Sequence, residues 1–188
     1  MAKDLTNSRI DRQNILNNEL AVEEIQETLH IKTVFWNEKY YLTKDMVADY
    51  FKVDVRTIER YISNYSEELS ANGFELIKGK KLAEFIDAYN TAFATDINVA
   101  RKIRSIRVFD FRSFLNMAML LSESEHARAL RQLMLDIVID IINRKTGGGT
   151  KYINQRDKYF VFSSLQEDNY RRQFTDALQK YVEDNRYK

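Results

Sequence analysis

Apolar residues at helical spacing alternate along the chain with short aromatic segments. Apolar positions between Ile15 and Leu29 follow a loose helical pattern, and Leu82–Phe93 carries its large apolar residues on one helix side. Thr33–Leu42 differs, because aromatic and β-branched residues flank the polar Asn37-Glu38-Lys39. That arrangement is typical of a β-hairpin.

A second pair of strands is predicted after the turn signal Asn72-Gly73. Phe74–Ile77 and Lys81–Leu82 have strand-like composition and are joined at Lys78-Gly79-Lys80. Placed after a helical hairpin, such a pair would form a β-wing whose tip carries lysines.

The longest periodic segment predicts a helix from Ser124 to Arg144. Its apolar seam falls at Ala127, Leu130, Met134, Ile137 and Ile141. Further apolar residues widen the seam, so the helix is either central to the core or part of a subunit interface. Asp136 and Asp140 lie one helical turn apart, and we interpret them as part of a narrow, solvent-facing polar stripe on this helix. Gly147-Gly148-Gly149 ends the segment.

These elements predict a mainly α protein with small β-hairpins, of the α+β class: a winged helix-turn-helix followed by a helical C-terminal region. Four segments are predicted along the chain. They are an N-terminal helical extension (1–32), a winged helix-turn-helix domain (33–95), a helical oligomerisation region (96–146) and a C-terminal helical segment (147–188).

The amino-acid composition limits the kinds of functional site that the chain can form. The chain has no cysteine and two histidines, so disulfides and thiolate metal sites are excluded and histidine ligands are few. No nucleophile–base pair or metal cluster is apparent, so we expect no catalytic residue, metal or cofactor. No secretory or membrane-spanning segment is recognised, which predicts a cytoplasmic protein without membrane contact. With 29 basic and 28 acidic residues, nucleic-acid binding would need a local patch.

The strongest motif is a helix-turn-helix over Thr43–Asn64. Thr43 and Asp54 are suited to cap the N-termini of its two helices. Lys52 stands where such turns usually have glycine, and Val53 follows it as a plug between the helices. The expected inward-facing residues are Val47, Ala48, Phe51, Ile58 and Ile62.

The second helix of this motif would enter the major groove of double-stranded DNA. Arg56 and Arg60 can each reach a guanine edge or a phosphate, and Thr57 suits a phosphate or a thymine methyl group. Helix-turn-helix proteins commonly dimerise, so a homodimer is expected. The predicted DNA-binding residues are Lys44, Val55, Arg56, Thr57, Arg60, Asn64, Lys78, Lys80 and Lys81.

A basic stretch offers a possible second DNA-contacting surface, formed by Arg101, Lys102, Arg104 and Arg107. A helix would bring the three arginines at intervals of three residues together. The alternative is a solvated basic face that pairs with carboxylates such as Glu123 and Glu125. His126 is interpreted as a packing or capping residue at the start of the long helix.

The segment Tyr40-Tyr41-Leu42-Thr43 leading into Met46–Phe51 resembles RhuM-like bacterial proteins. The stretches Val108–Leu115 and Ser124–Arg131 resemble phage antirepressor modules, in which a short strand precedes a helix of similar pattern. The resemblance implies a DNA-binding transcriptional regulator of phage or mobile-element type. The alternative function is a protein-interaction module, antirepressor-like or antitoxin-like, acting on another regulator. Because such relatives are often longer, residues 147–188 would then begin a truncated domain.

Overall fold

A computed structural model describes residues 5–29, 31–93 and 103–146. The described residues form a mainly helical protein with one four-stranded antiparallel sheet, so the predicted α+β class is confirmed. The predicted C-terminal helix after Gly149 lies outside the described residues.

The N-terminal segment forms two helices after a short 3₁₀ turn at Leu5–Asn7. The first helix, α1, spans Arg9–Leu16, and the second, α2, spans Glu19–Thr28. The helical pattern predicted from Ile15 is therefore interrupted, because the Asn18 side chain accepts a hydrogen bond from the Ala21 N–H and caps a new helix.

The first hairpin agrees with the prediction, with a tighter turn. Strands β1 (Val34–Trp36) and β2 (Lys39–Thr43) pair in antiparallel register, with Trp36 opposite Lys39. The turn therefore consists of Asn37 and Glu38 alone, whose φ angles of 48° and 61° match the right-handed twist of the hairpin.

The predicted wing is wrong in its second strand. Strand β3 spans Phe74–Lys78, but after Gly79 the chain enters helix α6, Lys80–Phe93, which includes the predicted strand Lys81–Leu82. The partner of β3 is instead β4, Ser105–Asp110, which also pairs with β2 and gives the sheet order β1-β2-β4-β3. This segment forms a helix rather than a strand because its apolar residues share one helix face, which packs on the sheet.

The turn before β3 requires a glycine. Gly73 has a φ of 101°, and a Cβ atom there would lie 1.9 Å from the Asp110 carboxylate. That carboxylate accepts a hydrogen bond from the Ser113 N–H at 2.8 Å, so it is fixed as the cap of the following helix.

The sheet separates two apolar clusters. On one face, Leu42, Phe74 and Phe109 join the main core with the helices. On the other face, Tyr41 and Val108 pack with Phe85 of α6 and their neighbours in a second cluster. Because side chains alternate along a strand, each central strand contributes to both clusters.

The remaining helices build the main core. They are α3 (Lys44–Phe51), α4 (Val55–Asn64), α5 (Ser66–Ala71), α7 (Phe111–Leu120) and α8 (Glu125–Thr146). The predicted seam of α8 is buried from Ala127 to Ile141, whereas Ile139 and Ile142 are about half exposed.

The main core combines side chains from three predicted segments. Leu16 and Ile25 come from residues 1–32, Phe51 from residues 33–95, and Phe114 from residues 96–146. These segments therefore share one hydrophobic interior, and their boundaries as separate domains stay a prediction.

Candidate nucleic-acid interface

Helices α3 and α4 form the predicted helical hairpin, and both predicted caps are present. The Thr43 hydroxyl accepts a hydrogen bond from the Met46 N–H at 3.3 Å. The Asp54 carboxylate accepts one from the Arg56 N–H at 2.7 Å. Each side chain satisfies one of the free backbone donors at a helix N-terminus.

The turn between the helices is closed by the backbone. Lys52 adopts the left-handed conformation usually taken by glycine, with φ 52° and ψ 45°. The Val53 N–H then donates to the Ala48 carbonyl at 3.0 Å. A lysine can therefore occupy this turn position, although left-handed geometry is unfavourable for a residue with a side chain.

The predicted inward-facing residues of the hairpin are all buried. They are Val47, Ala48, Phe51, Ile58 and Ile62. Val53 is partly buried and packs against this core, as predicted for the plug. Val55 differs from the prediction, because it is partly buried against the same core and is only partly available to a ligand.

The opposite side of α4 is open to solvent. Arg56, Arg60 and Asn64 are exposed, whereas Thr57 is only partly exposed. Arg56 and Arg60 are one helical turn apart and so share this exposed face. The face is therefore a short helical surface with two guanidinium groups.

One flank of α4 is formed by Lys44 and Glu59. The Lys44 ammonium donates a hydrogen bond to the Glu59 carboxylate, which links the start of α3 to α4. The hydrogen bond and charge of Lys44 hold the pKa of Glu59 below its usual value, with smaller contributions from Arg107 and Arg56. Arg107 of β4 therefore lies near α4, although the two are far apart in sequence.

The other flank is formed by the connection between α7 and α8. The Arg60 guanidinium donates to the Glu123 carboxylate, and it lies 5.5 Å from the centre of the Tyr61 ring. The Tyr61 hydroxyl donates to the second Glu123 oxygen at 2.7 Å. Burial raises the pKa of Glu123, but Tyr61 and Arg60 outweigh it and the pKa lies below its usual value.

The wing lysines lie on elements other than the predicted hairpin tip. Lys78 ends β3, whereas Lys80 and Lys81 begin α6, and all three are exposed. Lys80 forms an ion pair with Glu84 on the same helix at 3.9 Å. The structure therefore does not unite them as the tip of a two-stranded wing.

The predicted basic helix is also wrong where the structure describes it. Arg107 lies on strand β4, and Arg104 precedes that strand at an exposed bend. Arg101 and Lys102 lie outside the described residues. The predicted acidic partners bind elsewhere, since Glu123 pairs with Arg60 and Glu125 with Arg128.

Glu123 and Tyr61 are the site residues whose roles the sequence analysis missed. Glu123 is 63 residues from Arg60 in sequence, so no local pattern links the two. The role of Tyr61 was missed because the apolar spacing of α4 marks this residue only as part of the core. A polar hydroxyl at the edge of that apolar face was the one available signal.

Other candidate chemistry is sparse in the described part of the chain. No group of three or more histidine and carboxylate side chains there is arranged to hold a metal ion. Asp140 instead pairs with Arg144 at 3.1 Å. His126 packs beside Tyr50 with ring centres 6.5 Å apart, while Ser124 provides the cap of α8.

Within the same residues, no helix combines the length and the apolar character needed to cross a bilayer. The chain matches no protein-family model, no curated protein and no solved structure. The geometry of its own residues is thus the basis for a functional assignment.

Proposed function

We propose that the protein binds double-stranded DNA in a sequence-specific manner, with α4 in the major groove. The observation that carries this proposal is a capped, tightly packed pair of helices whose second member exposes Arg56 and Arg60 on one face. In helix-turn-helix proteins this second helix contacts base edges, and its N-terminal end enters the groove first.

Arg56 is the side chain best placed for a base edge. It lies in the first turn of α4, is exposed, and has no ion pair with any described residue. Arginine binds the O6 and N7 acceptors of guanine with two hydrogen bonds. Thr57 and Asn64 flank the same surface and suit phosphate contacts.

The charge on this surface is mixed. Lys44 and Arg60 are paired with the Glu59 and Glu123 carboxylates, and Asp54 adds an exposed carboxylate at the N-terminus of α4. The support for DNA binding therefore comes from the position of the Arg56 and Arg60 guanidinium groups on one exposed helix face, rather than from a large local excess of positive charge.

The double variant Arg56→Ala/Arg60→Ala tests the proposal. We expect affinity for a duplex selected from a random library to fall at least tenfold, because each specific arginine contact is worth about 1–3 kcal/mol. Lys32→Ala/Lys39→Ala is the matched control, because it removes two exposed positive charges that form no ion pair with any described residue and lie outside α4. Equal affinity of the Arg56/Arg60 variant and the wild type would refute the proposal.

The biological setting is proposed from the resemblance to RhuM-like and antirepressor proteins. It favours a cytoplasmic transcriptional regulator of phage or mobile-element type. The proposed mechanism involves DNA binding alone and no catalytic step or cofactor.

A protein partner is the second candidate, and one observation favours it. Ile139 and Ile142 of α8 are about half exposed while the seam beneath them is buried. Exposed large apolar side chains on one helix suit a contact with another protein surface. The occupant proposed here is a second copy of the chain, which would present two recognition helices to adjacent half-sites.

A further inference from the structure

The α7–α8 connection brings a carboxylate to the edge of the recognition helix. Glu123 meets Arg60 across a separation of 63 residues, and their side chains are 46% and 57% exposed. The pair therefore lies on the surface that the proposed function assigns to DNA. An incoming duplex would meet both side chains.

This connection is anchored to the helix-turn-helix itself. The Ser124 hydroxyl donates to the Phe51 carbonyl at the end of α3, at 2.6 Å. The same oxygen accepts the Ala127 N–H at 3.1 Å and caps α8. The Arg131 guanidinium donates to the Ala118 carbonyl at 2.7 Å, which ties α8 back to α7. Glu123 is thus held by neighbours on both sides.

The two carboxylate oxygens of Glu123 have separate partners. One accepts from Arg60 Nη2, and the other accepts from the Tyr61 hydroxyl at 2.7 Å and from the Ser122 hydroxyl at 3.4 Å. Of the described residues, only Glu123 accepts a hydrogen bond from the Arg60 side chain. Because a guanidinium has five N–H donors, most of its donors remain available for a ligand.

We infer that Glu123 is a positioning residue that orients Arg60 toward a base edge and keeps it from phosphates. This inference rests on the proposed DNA binding. A long arginine side chain that is already held loses less conformational freedom when it binds a base. A fixed negative charge beside it repels the phosphate backbone, which is the source of sequence-independent affinity. Glu123 would therefore increase specificity by weakening binding to unrelated sequences.

The variant Glu123→Gln tests this role, because it removes the charge and retains an oxygen for Tyr61. The probes are a duplex selected from a random library by the wild type and a scrambled duplex of equal composition. We expect affinity for the scrambled duplex to rise and the ratio of the two affinities to fall about tenfold, as for loss of one base contact. Glu125→Gln is the matched control, since it removes an exposed carboxylate two residues away.

A second readout separates positioning from general electrostatics. Reselection from the library with Glu123→Gln should relax the preference at the same base pair that Arg60→Ala relaxes. Combining the two changes should give the affinity ratio of Arg60→Ala alone, because the carboxylate acts through that arginine. Should Glu123→Gln fold poorly in thermal unfolding, Tyr61→Phe removes the shorter of the two hydroxyl hydrogen bonds to the carboxylate and should change the ratio in the same direction.

Each result has a distinct meaning. Equal affinity gains on both duplexes, matched by Glu125→Gln, would overturn the positioning role while DNA binding stands. A ratio unchanged in both Glu123→Gln and Tyr61→Phe would do the same. Failure of the wild type to enrich any duplex from the library would overturn DNA binding and the inference together.

Discussion

An ion pair inside the protein joins helix α1 to helix α5, and Glu68→Gln tests its contribution. Arg12 of α1 and Glu68 of α5 form two hydrogen bonds of 2.7 Å, with side chains only 4% and 7% exposed. Arg12 also donates to the Leu5 and Thr6 carbonyls at 2.8 and 3.0 Å. The guanidinium therefore takes its hydrogen-bond acceptors from protein groups rather than from water.

The expected loss in the free energy of unfolding follows from the burial of this ion pair. Removing one partner of a buried, hydrogen-bonded pair costs about 3–5 kcal/mol, because the other charge is left without compensation. Glutamine keeps one acceptor oxygen for Arg12, so we expect the lower limit, about 3 kcal/mol of the free energy of unfolding. The exposed pair Glu125–Arg128 gives the comparison, where Glu125→Gln should cost at most about 0.5 kcal/mol.

Urea unfolding followed by circular dichroism measures both variants. With a slope of about 2 kcal/mol per molar urea, the midpoint of Glu68→Gln should fall by about 1.5 M. Arg12→Met should also cost less in the Glu68→Gln background than in the wild type, since it then removes an uncompensated charge. A midpoint within about 0.3 M of the wild type would refute the reasoning.

Two further predictions concern pH and association. Burial, then the charge of Lys52, lowers the pKa of His126 below 6.5, against a smaller opposing effect of the Tyr50 backbone. The unfolded chain therefore binds the proton more tightly, and stability should fall as pH drops below about 6.5. His126→Gln should weaken this dependence in urea unfolding at pH 7.5 and 5.5, and an unchanged dependence would contradict it. Ile139→Lys/Ile142→Lys should convert a dimer to a monomer in light scattering, whereas a wild-type monomer at high concentration would contradict the proposed interface.

The sequence was sufficient to predict elements whose signals are local. Thr43 and Asp54 mark the starts of α3 and α4 because a cap depends on residues only two or three positions away. The apolar spacing of α8 likewise predicted its buried seam, since one helix face must supply the core. The exposed arginines of α4 followed from the same periodicity, as they are opposite Ile58 and Ile62.

Long-range pairing could not be predicted in this way. The turn Lys78-Gly79-Lys80 has the composition of a hairpin tip, yet β3 pairs with β4, which follows α6 in sequence. Arginines at intervals of three suggested a helix, but pairing of Arg107 with Leu76 of β3 outweighs that spacing. Such choices depend on contacts between distant segments, which local propensity does not encode.

Those distant contacts also determine whether residues 33–95 can fold alone. Strand β4 lies between β2 and β3, so that fragment would leave β2 paired with β1 alone and β3 without a partner strand. It would also lose Phe114, whose ring stacks on Phe51 of α3 with centres 5.2 Å apart. The fragment would then have unpaired strand edges and an exposed core face, and it would bury too little area to offset the entropy of folding. We therefore expect the fragment to show no cooperative urea transition by circular dichroism, whereas residues 5–146 should. A cooperative transition of the fragment would instead establish the predicted boundary at residue 95.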